Sequence, residues 1–180
     1  MQIATYPKSL AIPLERDLFL RTLIRELAGT LEEVVGIDEA SGYISLVGQN
    51  VGEWINRTYT TALGVETLSA ALVAEVLVDL KARIKGDFSI LTQDEDQIQL
   101  INRCCPFADK VVGRPSMCMM TSNIFGVIAA ENLGYAKVAL RETIANGGEG
   151  CLVTVYLKPT PEAMAAHGRE YFRTGGGCAA

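Results

Sequence analysis

Apolar residues recur every three to four positions through the first half of the chain, a spacing that predicts helices. The first predicted helix runs from Leu14 to about Val35, and charged residues occupy its other face. Because the helix is N-terminal and strongly amphipathic, it is also a candidate for dimerisation. Its apolar stripe consists of Leu20, Leu23, Ile24, Leu27, Leu31 and Val34.

A second helix is predicted from about Asp38, which is placed as its N-cap. Small residues recur along this helix at a spacing of one turn. Because glycine lowers helix stability, their presence predicts that another element approaches the helix closely. A helix that kinks or breaks at a glycine is the alternative. The small residues are Ser41, Ser45, Gly48 and Gly52.

A third helix is predicted from about Thr67 to Lys85 and ends at Gly86. Its last turns contain Lys81 and Arg83, where positive charge suits the helix dipole.

The hydrophobic period then changes from 3.6 to 2, which predicts β-strands. The pattern predicts an α+β fold, in which N-terminal helices precede an antiparallel sheet built from two β-hairpins with a crossing helix. The hairpin strands are Phe88 to Thr92 with Gln97 to Asn102, and about Ala136 to Glu142 with Cys151 to Lys158; helices are predicted from about Met117 to Asn132 and from Thr160 to about Phe172.

The length of 180 residues suits one domain with a sizeable core. We divide it into an N-terminal helix (1–36), a central α+β part (37–158) and a C-terminal helix with a flexible tail (159–180). A net charge of -5 argues against direct nucleic-acid binding. No apolar run is long enough for a signal peptide or a membrane span, so we expect a cytoplasmic protein.

Four of the five cysteines lie between residues 104 and 151. In a reducing compartment such a cluster indicates a metal site or a reactive thiol, although cysteine is also a common buried core residue. Three or four thiolates, with or without Glu142, would suit zinc or an iron-sulfur cluster. The candidate metal ligands are Cys104, Cys105, Cys118, Cys151 and Glu142.

Cys118 falls in the first turn of a predicted helix, where the helix dipole favours a thiolate. A cysteine-dependent enzyme is therefore an alternative function. It would need a base beside the nucleophile, and His167 is the only histidine in the chain. The enzyme hypothesis is correspondingly weaker than the metal-site hypothesis.

Part of the chain resembles the methanogen output domain family, whose members occur alone or attached to signal-transduction proteins. The resemblance rests on the run RCCPFADKVVGRPSMCMMTSNIFGVIAAENLGYAKVALRETIANGGEGCLVTVYL and covers about Ile37 to Lys158. The segment from Phe88 to Lys158 is more distantly similar to the 4-vinyl reductase domain, whose relatives form the sensor half of phenol-responsive activators. The resemblance implies an α+β sensor domain that encloses a pocket for a small apolar ligand.

The phenol-sensor relatives hold zinc beside their pocket with three cysteines and a glutamate. Carried over to this chain, their ligand positions match Cys118, Glu142 and Cys151, while the fourth falls near Ala145, which cannot bind metal. Cys104 or Cys105 could supply the missing thiolate.

We therefore expect a cytoplasmic sensor with a cysteine-ligated metal, zinc in the first instance, beside a small-ligand pocket. An iron-sulfur or thiol redox sensor and a cysteine-dependent enzyme are the alternatives. We expect a homodimer that passes its signal to a partner protein, because the chain carries no recognisable DNA-binding or catalytic signalling domain. The candidate pocket residues, chosen for aromatic character or for proximity to the cysteines, are Trp54, Phe107, Met119 and Phe125.

Overall fold

A computed structural model describes residues 11–174 as five helices and five strands, with two short 3-10 turns. The first ten residues and residues 175–180, which include most of the predicted C-terminal tail, lie outside this description. The helices are α1 (Arg16–Val35), α2 (Ile37–Leu63), α3 (Ala70–Arg83), α4 (Pro115–Leu133) and α5 (Pro161–Ala165). The strands are β1 (Phe88–Gln93), β2 (Gln97–Asn102), β3 (Tyr135–Glu142), β4 (Cys151–Tyr156) and β5 (Arg169–Phe172); the 3-10 turns are Ala108–Val111 and Ile144–Asn146.

The five strands form one antiparallel sheet in the order β1-β2-β4-β3-β5. The two predicted hairpins are β1-β2 and β3-β4, and they join because β2 pairs with β4. Helix α4 connects the hairpins and packs on the inner face of the sheet. The predicted α+β fold is therefore confirmed.

The C-terminal segment differs from the prediction of one helix as far as Phe172. Helix α5 ends at Ala165, and the chain continues as the edge strand β5, which pairs with β3. The reason lies in the packing of Tyr171, which is buried and contacts α4 so closely that a Cβ at Gly126 would lie 2.1 Å from its ring. Because this contact joins segments that are distant in sequence, the local sequence of the C-terminal segment does not predict it.

Helix α4 lies between the sheet and helix α2, and the two helices run side by side in the same direction. A Cβ added at Gly48 would lie 2.5 Å from the Cβ of Asn123. One turn later, a Cβ at Gly52 would lie 3.0 Å from Val127. Helix α2 is continuous, so the small residues do mark a close approach and not a break.

Helix α1 is present as predicted, but most of its apolar stripe faces outward. Its fully buried residues are Ala28 and Gly29. The adjoining outer face of α2 is also apolar. We call the solvent-exposed apolar surface of the two helices the outer helical face; it consists of Phe19, Leu20, Leu23, Leu27 and Val34 on α1 and Tyr43, Leu46, Val47 and Trp54 on α2.

No helix in the described part of the chain is both long and apolar enough to cross a membrane.

Candidate functional site

Three of the predicted metal ligands, Cys105, Cys118 and Cys151, line one small apolar cavity. It lies between the first turns of α4, the loop that follows β2, and the inner face of the sheet. Its volume is about 30 Å³, which is room for about one or two water molecules. Other wall residues are Phe88, Phe107, Met117, Thr121, Leu140 and Val153. We call this the cysteine cavity.

Secondary structure accounts for the convergence of the three thiols. Cys118 lies in the first turn of α4, which begins at Pro115, and Cys151 is the first residue of β4. The pairing of β2 with β4 sets Asn102 opposite Cys151, so the loop that leaves β2 brings Cys105 to the same end of the sheet. Cys118 and Cys151 thus face the same cavity, although they are 33 positions apart in sequence.

Burial makes these thiols harder to ionise. The pKa of Cys118 is raised to about 12, chiefly by burial and to a smaller extent by nearby Cys151 and Cys105, against the opposing effect of hydrogen bonds with the Ala145 backbone and the Thr143 side chain. The pKa of Cys105 is also raised, chiefly by burial. The prediction that the helix start favours a Cys118 thiolate is therefore wrong for the cavity as it stands, because desolvation outweighs the dipole.

The sulfur of Cys151 accepts two weak hydrogen bonds. The side-chain amide of Asn102 donates at 3.8 Å and the backbone N–H of Ile144 at 3.5 Å. These two contacts hold the Cys151 sulfur in the wall of the cysteine cavity.

Lys81 lies against the wall of the cysteine cavity and is 3% exposed. Its ammonium donates a hydrogen bond to Thr121 Oγ1 at 2.8 Å, and it lies 5.6 Å and 5.3 Å from the ring centroids of Phe88 and Phe125. Burial lowers the pKa of Lys81 to about 8, whereas charge on the three cysteines would raise it. The site thus combines three thiols with one buried cation.

The sequence analysis assigned Lys81 to the cations that suit the helix dipole in the last turns of α3 and missed this role. The available signal was its register, because Ala74, Leu77 and Lys81 share one face of α3, and Ala74 and Leu77 are fully buried. A charged residue in phase with a buried stripe was the clue.

Two candidate metal ligands lie away from the cavity. Cys104 is exposed, and its sulfur faces the Lys85 carbonyl at 3.8 Å. Glu142 follows an irregularity in β3 and pairs with Leu152, on the outer face of the sheet. The bulge therefore turns the carboxylate that the family resemblance implies as a ligand away from the thiols.

The four candidate pocket residues are distributed differently from the prediction. Phe107 lines the cysteine cavity, and Phe125 is fully buried just behind it, edge-on to Phe88. Met119 faces α2, where it accepts a hydrogen bond from Ser41. Trp54 is 61% exposed because it projects from the side of α2 that faces away from α4. The structure brings neither Met119 nor Trp54 to the cavity.

Among residues 11–174, no three His, Cys, Asp or Glu side chains are grouped in an arrangement that could hold a metal ion. The three cavity thiols would have to turn toward one another to do so, and Glu142 faces the other side of the sheet. The full ligand set implied by the resemblance does not fit this arrangement. His167, the candidate base for an enzyme, is exposed in the loop before β5 and does not line the cavity.

Helix α1 packs against residues that form one side of the cavity wall. Its residues Ile24 and Ala28 pack against Val111, Met117 and the adjoining cysteines. The Arg25 guanidinium donates to the Lys110 and Val112 carbonyls of the loop. Movement of the cavity wall would therefore act directly on α1.

A second contact fixes α1 to the start of α4. The Arg114 guanidinium lies 3.5 Å from Glu32 and 3.6 Å from Glu33 of α1. It fits because Gly29 has no side chain, since a Cβ there would lie 2.7 Å from the guanidinium.

Solved structures that share this fold include a sensory domain and a trafficking-complex subunit. The phenol-responsive sensory domain of the transcription activator PoxR, solved with phenol, aligns with a TM-score of 0.61 at 14% identity, over 86% of this chain and 81% of that one. A trafficking protein particle complex subunit 3 from Naegleria fowleri, covalently bound to palmitic acid, aligns with a TM-score of 0.56 at 12% identity, over 87% and 97%. No curated protein matches the chain in sequence.

The chain folds as an α+β domain of the architecture found in a sensory domain, with a small cavity against its sheet. The chain belongs to the methanogen output domain 1 family, whose sequence model matches residues 23–156. The resemblance inferred from the sequence is thereby confirmed. The matched range begins within α1 and ends at the last residue of β4, so it contains the whole cysteine cavity.

Proposed function

We propose that the protein is a signal-transduction sensor whose cysteine cavity binds a small ligand and whose helix α1 transmits the response. The observation that carries this proposal is the direct contact of α1 with the cavity wall through Ile24, Ala28 and Arg25. The fold shared with a phenol-responsive sensory domain supports it. The cavity of about 30 Å³ must enlarge to admit such a ligand, so binding would displace the wall on which α1 rests.

The finer proposal is that Cys105, Cys118 and Cys151 hold a zinc ion beside the ligand, with an iron-sulfur cluster as the alternative. Thiolates are preferred ligands for both. The three thiols already line one cavity, and the structure leaves Cys104 and Glu142 outside it. Bound zinc would hold the thiols as thiolates and brace the cavity wall. We also propose a cytoplasmic location, where the free thiols of residues 11–174 would stay reduced.

The test compares wild type with Cys118→Ala and Cys104→Ala, all purified without oxygen. We expect wild type and Cys104→Ala to contain about one zinc per chain and Cys118→Ala to contain little. Of the two substituted cysteines, Cys118 lines the cavity and Cys104 does not. We also expect phenol or a related small aromatic to raise the melting temperature of the first two, since a ligand that binds the native state stabilises it. Metal analysis, absorption spectra and thermal unfolding give the three readouts.

Each result has a separate meaning. Iron with visible absorption would favour the iron-sulfur hypothesis over the zinc hypothesis. Wild-type protein without metal would contradict both hypotheses. Equal zinc loss in Cys104→Ala would mean that the exposed thiol is a ligand after all. If no small aromatic or aliphatic compound shifts the melting temperature of wild type, the ligand-sensor proposal is wrong whatever the metal content.

We further propose that a second copy of the chain covers the outer helical face. On α1 the exposed Leu20, Leu23, Leu27 and Val34 follow the spacing of a coiled-coil seam. Such a long run of exposed large apolar side chains is unusual for a monomer.

Charge along α1 supports a symmetric, antiparallel pair. Its first half, residues 16–25, has three arginines and one aspartate, and its second half, residues 26–35, has three glutamates and no basic residue. A two-fold axis across α1 would set the exposed Arg16 of one copy near the acidic half of the other, where Glu26 and Glu33 are exposed. A ligand-driven shift of α1 would then alter the dimer and, through it, a signalling partner.

Leu23→Glu should convert the dimer to a monomer, because it places a charge in the seam. Leu91→Glu is the matched control, since Leu91 is a similarly exposed leucine on β1, away from the outer helical face. Light scattering after size-exclusion chromatography measures the mass of each. A monomeric wild type, or a Leu23→Glu variant that stays dimeric, would contradict the proposed interface.

A further inference from the structure

Lys81 is a buried cation without an anionic partner in the described part of the chain. No carboxylate oxygen of residues 11–174 lies within 4.0 Å of its ammonium. An ammonium has three N–H donors, and only one is used here, in the bond to Thr121. Buried charges in proteins are normally paired or bound to metals, because leaving water is costly.

The ammonium lies beside the cysteine cavity, behind two of its wall residues. Thr121 and Phe88 contact the ammonium and also line the cavity. The two aromatic rings offer the cation only a modest compensation.

We infer that the occupant of the cysteine cavity carries a negative charge and that Lys81 is its counter-charge. This inference rests on the proposed function and names the chemistry of its ligand. Two sources could supply that charge. Three thiolates around one divalent zinc ion carry a net charge of minus one by simple count. A small organic acid, such as an aromatic carboxylate, would bring the same charge itself.

The experiment measures both sources in wild type, Lys81→Met and Lys81→Arg. Methionine keeps the length of the side chain without its charge, and arginine keeps the charge. Zinc affinity is measured by competition with a chelator after the protein has been stripped and reduced. Ligand affinity is measured with benzoate, and with benzyl alcohol as an uncharged probe of similar size.

We expect Lys81→Met to weaken the occupant that wild type binds by about tenfold or more, with a smaller loss in Lys81→Arg. If zinc affinity falls, the charge belongs to a metal-thiolate site; if benzoate affinity falls and benzyl alcohol affinity does not, it belongs to an organic acid. Equal affinities for wild type and Lys81→Met would overturn the inference while leaving the sensor proposal intact.

Urea unfolding of the stripped proteins decides the matter even if wild type binds neither probe, an outcome that would remove support for the proposed function. A buried cation without a counter-charge destabilises the native state of the empty protein. Lys81→Met should therefore unfold at a higher urea concentration than wild type. A Lys81→Met variant that is less stable when stripped would show that Lys81 is already compensated within the fold, and the inference would be wrong.

Discussion

Replacing Gly48 by alanine should destabilise the protein, although alanine is the better helix former. The added Cβ would lie 2.5 Å from the Cβ of Asn123, and neither atom can rotate away because both are fixed to helix backbones. Helices α2 and α4 must separate to make room. Overpacking of this kind costs about 1–3 kcal/mol, against a gain of about 0.5–1 kcal/mol from helix propensity.

Gly42→Ala is the matched control, because Gly42 lies in the same helix and a Cβ there meets nothing within 4 Å. This variant should be stabilised by about 0.5–1 kcal/mol, the helix-propensity gain alone. Urea unfolding of the two variants should place them on opposite sides of wild type. If Gly48→Ala were as stable as Gly42→Ala, the close contact of α2 with α4 would not exist in solution.

The elements that the sequence predicted well are those whose signal is local. The hairpin of Phe88–Gln93 and Gln97–Asn102 follows from a period of two around a turn. The small residues of α2 predicted a neighbour because glycine in a helix needs a reason. That the neighbour is α4 could not be predicted, because pairing between distant segments leaves no mark in either segment alone.

Burial was harder to predict than secondary structure. A stripe of leucines on α1 has the same spacing whether it faces the core or a partner, and in this chain Leu23 and Leu27 are exposed. Lys81 is the converse case, because it is a charged residue in the last turns of α3 and is only 3% exposed. The hydrogen bond of its ammonium to Thr121 joins α3 to α4, and neither helix alone predicts that contact.

The candidate site could be predicted only in part, because some of its geometry follows from sheet topology and some from a local irregularity. Cys118 and Cys151 lie at element ends that a two-hairpin sheet brings together, so their convergence followed from topology. The orientation of Glu142 depends on an irregularity of one residue between Leu140 and Glu142, which moves the side chain to the other face of the sheet. No periodicity argument resolves a shift of that size.

Replacing Asn132 by leucine should cause the second large loss of stability. Its side chain, at the end of α4, joins α2, the segment before α3 and α4 itself. Asn132 Oδ1 accepts from the backbone N–H of Leu68 at 2.7 Å, and Asn132 Nδ2 donates to Asn56 Oδ1 and to the Ile128 carbonyl, both at 2.7 Å. Leucine has a similar volume and makes none of these bonds.

The main cost is the N–H of Leu68, which would remain buried without an acceptor. An unsatisfied buried donor costs about 1–3 kcal/mol, and the loss of the bond to Asn56 adds to it. We therefore expect Asn132→Leu to lose about 2–4 kcal/mol in urea unfolding. Asn56→Ala removes only one bond, at a half-buried position, and should lose about 1 kcal/mol. Equal losses in the two variants would show that the Leu68 amide finds another acceptor and that α2, α3 and α4 are held together by apolar packing alone.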